Sequence, residues 1–66
     1  MHKSKEPRLQ LGLGHVQSAI VLALEALKRE SMYGDERGTA FLEDAVSSLL
    51  KAKSRYMSLI RAERGE

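Results

Sequence analysis

The sequence predicts an all-α protein: a two-helix antiparallel hairpin whose apolar faces are broad enough to favour dimerisation into a four-helix bundle. Three observations predict it: two apolar-periodic segments, a single turn signal between them, and a chain too short for one hairpin core to stabilise it. In the first segment Leu9, Leu13, Val16, Ile20, Ala23 and Leu27 recur at steps of three and four, with Leu24 beside Ala23, which stacks them on one helical stripe. In the second, Phe41, Leu42, Ala45, Val46, Leu49, Ala52, Tyr56, Leu59 and Ile60 repeat the pattern. Leu50 and Met57 widen that arc to about half the helix circumference.

The connection is SMYGDERGT at 31–39, where Gly34 suits the left-handed position that ends a helix and Asp35 or Thr39 suits the cap that begins the next. The expected organisation is a flexible basic tail over 1–6 and a hairpin over 7–66. Within the hairpin, helix 1 is expected over 7–32, the turn over 33–38 and helix 2 over 39–63. Ser4 can cap the first helix, with Glu6 and Pro7 in its first turn, where proline is tolerated. Against a helix there, Gly12 and Gly14 each cost about 1 kcal/mol in a helix interior, and Leu9, Leu11 and Leu13 also alternate as in a strand. Residues 8–14 are therefore read as either helix or extended arm.

A chain of 66 residues buries only about 60% of the surface it exposes when unfolded. Domains of this size add disulfides, a metal or an oligomeric interface. There is no cysteine, and the two histidines, His2 and His15, stand alone, so neither a disulfide nor a structural zinc is expected. Self-association is the remaining means. Leu9, Leu13, Val16, Ile20, Leu24, Leu27, Leu42, Val46, Leu49, Tyr56 and Ile60 are the expected oligomer interface.

The net charge of +2, from 11 basic and 9 acidic residues, is too mild to demand a nucleic-acid partner. Lys51, Lys53, Arg55, Arg61 and Arg64 load the C-terminal part while Glu43 and Asp44 lie near the second helix start, as the helix macrodipole favours. Lys53 falls inside the apolar arc, where its stem is expected to lie along the core and its ammonium to reach water. The apolar run Ala19–Leu24 is short, ends at Glu25 and sits mid-chain. Neither a signal peptide nor a membrane span is expected, and the cytoplasm is the expected location.

No catalytic signature is present, and an enzyme is not expected. The glycine pair in LGLGH (11–15) has Gln17 where a dinucleotide fingerprint needs its third glycine, so no cofactor is expected. Leu11, His15, Leu22, Leu50 and Met57 flank or oppose the main stripes and are the candidate partner surface. The chain is thus expected to act as a non-enzymatic interaction or regulatory module, with itself and another protein as partners.

Two resemblances give alternatives. RLQLGLG (8–14) followed by GTAFLEDAVSSLL (38–50) resembles ribbon–helix–helix DNA-binding regulators. In that reading residues 8–13 form the ribbon and Lys3, Lys5, Arg8 and Gln10 are candidate nucleic-acid contacts. The sequence departs from that family in its longer spacing between ribbon and second helix, and in Gly12, which has no side chain to read a base. FLEDAVSSLLKA (41–52) looks like the second helix of phage helical-hairpin proteins that sequester cyclic nucleotides, which implies nucleotide sequestration as a further alternative.

Overall fold

The computed structural model describes residues 4–65. Helix α1 spans Glu6–Tyr33 and α2 spans Glu36–Glu63, each 28 residues and so about 42 Å long at 1.5 Å per residue. They fold back on each other as a rod measuring 55 × 15 × 13 Å. The chain is all-helical, with no strand among the described residues. Residues 8–13 lie within α1, which corrects the extended-arm reading and leaves no ribbon at that place. The cost of two helical glycines is spread over a stripe whose apolar residues continue unbroken through both of them.

The ends of α1 follow from short-range chemistry. The Glu6 N–H donates to the Ser4 hydroxyl at 3.1 Å, and Pro7 sits in the first turn, where its missing N–H costs no intrahelical bond. The helix thus begins one residue before the expected Pro7. At the other end Gly34 adopts φ 75°, and the Asp35 N–H reaches back to the Glu30 carbonyl at 3.3 Å, a left-handed glycine termination.

The connection is shorter than the expected 33–38, because Gly34 and Asp35 alone separate the helices. Asp35 is extended, and its carboxylate accepts from the Gly38 N–H at 3.0 Å. The Asp35 carbonyl accepts from both the Thr39 N–H at 3.0 Å and the Thr39 hydroxyl at 2.7 Å. Residues 36–38, expected in the turn, are therefore the first turn of α2. A two-residue link lies at the short end for antiparallel helices, and it holds the two axes in one register.

Both helices present an unbroken stripe of alternating four- and three-residue steps. In α1 it is Leu9, Leu13, Val16, Ile20, Ala23, Leu27 and Glu30; in α2 it is Leu42, Val46, Leu49, Lys53, Tyr56, Ile60 and Glu63. Every residue of both stripes is half-buried, except Ile60, which is fully buried at 5% exposure. The 3.5-residue average is that of a left-handed coiled-coil seam.

Candidate interaction surface

The open end of the hairpin is closed by its termini. The Lys5 N–H donates to the Glu63 carboxylate at 2.9 Å, and the Arg64 Nε donates to the Glu6 carboxylate. Near the same end the Tyr56 ring covers α1 at Gly12: a Cβ built there would stand 2.6 Å from the ring and its hydroxyl. At the turn, a Cβ on Gly38 would stand 2.8 Å from the Glu30 carboxylate. Two glycines thus mark the places where side chains of one helix reach the backbone of the other.

Of the residues expected to form the oligomer interface, Leu9, Leu13, Val16, Ile20, Leu27, Leu42, Val46, Leu49, Tyr56 and Ile60 meet within the single chain, along the seam between α1 and α2. Leu24 stands outside it at 47% exposure, because Ala23 and Leu27 hold the seam positions at that level. Lys53 does occupy a seam position, half-buried.

The expected partner residues divide into two groups. Leu11 and Leu22 are 62% and 65% exposed, and His15 is exposed between them; their steps of four and seven put them on one stripe, turned away from α2. Leu50 and Met57 instead flank the seam. Lys5, just before α1, and Arg8 and Gln10, in its first turns, are exposed, whereas Lys3 lies outside the described residues.

Each long side of the hairpin has its own character. An open groove of about 430 Å³ runs between Arg8, Leu9, Ala52, Arg55, Tyr56 and Leu59. Gly12, Ala19, Ala45 and Ala52 share or adjoin that flank by spacing, and Leu59 is its exposed large aliphatic side chain. A smaller hollow of about 210 Å³ lies between Gln10, Leu13, Met57, Ile60, Arg61 and Arg64. Leu24 follows Leu13 by three turns and Leu50 precedes Met57 by two, so both lie on the side of this second hollow, with Val21 beside Leu24. The sequence pattern set Leu50 and Met57 on the partner surface and Leu24 in the oligomer interface, without grouping them on one flank. The signal was present, because Leu13 and Leu24 are eleven residues apart.

The total accessible surface is 5468 Å². A compact monomer of 7.4 kDa is expected to expose about 4,200 Å². The hairpin therefore carries about 1,250 Å² more surface than a globule of its mass, and large apolar side chains such as Phe41, Tyr33 and Met32 are among the most exposed. One 18-residue window of α1 reaches a mean hydropathy of 1.2 with at most two charged residues. By length and composition alone α1 is thus long and apolar enough to cross a membrane, a test that the core helix of a soluble protein also passes. Among the described residues no three His, Cys, Asp or Glu side chains converge to hold a metal.

These features define the chain as an all-α helical hairpin with an underfilled core. No family model matches it, and neither does any curated protein or solved structure.

Proposed function

We propose that this chain is a non-enzymatic interaction module that self-associates into a helical bundle and offers its remaining apolar surface to a protein partner in the cytoplasm. The observation that carries this reading is the mismatch between helix and core: two 28-residue helices enclose one fully buried side chain, Ile60. Apolar area left in water contributes no stability, at about 25 cal/mol per Å², and a second hairpin is the simplest body able to cover it. After self-association, Leu11 and Leu22 remain on the outer side of α1 and form the surface for a different protein.

Sedimentation equilibrium together with helicity and melting followed over about a hundredfold dilution tests the proposal. Coupled folding and assembly makes the melting temperature rise with concentration. A monomer whose melting is unchanged across that range would sink the reading.

A further inference from the structure

Resting on the self-association proposed above, we infer that the second copy packs antiparallel against the face formed by Leu13, Val21, Leu24, Leu50 and Met57, with the turn of each protomer beside the terminal end of the other. Area, position and charge each lead to this arrangement.

The surplus surface of about 1,250 Å² per chain amounts to about 2,500 Å² for two chains, the size of an obligate homodimer interface. Of the two long sides, the one carrying Val21, Leu24, Leu50 and Met57 holds four of the exposed large aliphatic side chains. They straddle the middle of the rod: α2 spans Glu36–Glu63, so its midpoint falls between Leu49 and Leu50, and Val21 adjoins the midpoint of α1, which spans Glu6–Tyr33. A two-fold axis crossing the rod at that level brings Leu50 onto its own copy, as an isologous interface requires. It also sets each helix antiparallel to its counterpart, as in an up-down four-helix bundle.

Charge chooses the orientation. Residues 20–49, the half nearer the turn, carry six acidic and three basic side chains; the rest of the described chain carries seven basic and two acidic. Both of those acidic groups, Glu6 and Glu63, are already engaged within the hairpin by Arg64 and Lys5. Antiparallel packing lays the acidic half of one copy along the basic half of the other. Parallel packing sets like halves together, a juxtaposition that costs energy at an interface.

The absence of cysteine makes single-cysteine variants unambiguous. A nitroxide on Arg37→Cys, beside the turn, reports orientation by pulsed dipolar spectroscopy. Antiparallel protomers place the two labels about one helix length apart, roughly 42 Å. Parallel protomers place them within about one interaxial spacing of 8–10 Å plus the label tethers. Oxidation of Leu50→Cys then reports the face, since a disulfide needs Cβ atoms within about 4.5 Å.

The expected results are a long label distance and a cross-linked Leu50→Cys dimer, with little cross-linking of Ser48→Cys on the opposite side. Helicity is checked for each variant, so that a loss of cross-linking is read only from folded protein. A short label distance, or cross-linking through Ser48→Cys instead of Leu50→Cys, overturns the arrangement while leaving self-association standing. A wild-type chain that sediments as a monomer removes both.

Discussion

The Tyr56 ring lies against the backbone of α1 at Gly12, close enough that any β-carbon there would come within 2.6 Å of it. The helices can approach at this level because one residue has no side chain, and the aromatic ring fills the space. Gly14, two residues on, faces open space.

The two glycines therefore respond differently to the same change. Gly14→Ala is expected to stabilise the protein by about 0.5–1 kcal/mol, the helical preference of alanine over glycine. Gly12→Ala makes the same gain but displaces Tyr56, an overpacking cost of about 1–3 kcal/mol, and so is expected to be less stable than Gly14→Ala. Combining Gly12→Ala with Tyr56→Leu should recover much of the difference. Urea denaturation of the four proteins checks this, and equal midpoints for the two alanine variants would show that the ring does not seat on Gly12.

Asp35 carries the start of α2. Its carboxylate receives the Gly38 N–H, and Asp35→Ala is expected to cost about 1 kcal/mol. Asp35→Ser should keep most of that stability. Gly34→Ala, at φ 75°, places a β-carbon in the left-handed region and is expected to cost about 1–2 kcal/mol. Thermal melts at one fixed concentration read all three.

Ile60 is the one fully buried apolar side chain among the described residues. Ile60→Ala is expected to lose about 2–5 kcal/mol, against a total of about 3–10 kcal/mol for a chain of this length. The variant should melt at a clearly lower temperature by far-ultraviolet circular dichroism, whereas Ile60→Val should lose only about 0.5–1.5 kcal/mol. A melting temperature unchanged in Ile60→Ala would mean that the seam is held elsewhere.

Lys53 occupies a seam position and is half-buried, with no carboxylate of the described residues in an ion pair with it. Lys53→Met keeps the stem and removes the ammonium, and it is expected to raise the urea midpoint by up to about 1 kcal/mol of stability. A fall in stability instead would identify Lys53 as the holder of a carboxylate from a second copy.

Much of this fold was legible in the sequence, because much of it is local. The two apolar stripes, the glycine termination at Gly34, the cap at Asp35 and the room for Pro7 in a first turn all depend on residues within about one helical turn of each other. The length of the turn was less legible. Glycine at 38 reads as a loop residue, yet it serves the first turn of α2, where the Glu30 side chain approaches it. Its role depends on a residue across the link.

The hairpin itself, its apolar stripes and its shortage of core were therefore determined by the sequence alone, since periodicity and length are properties of the chain. Only the tertiary structure decided which apolar residues fill the seam and which flank it. Leu24 is displaced to the side by Ala23 and Leu27, Tyr56 is set on Gly12, and Glu6 meets Arg64 from 58 residues away. The physical reason is register: a two-residue link fixes how far one helix slides along the other, and a shift of a single residue rotates a helix face by about 100°. That rotation leaves the hydrophobic pattern of the sequence unchanged and alters every contact between the helices.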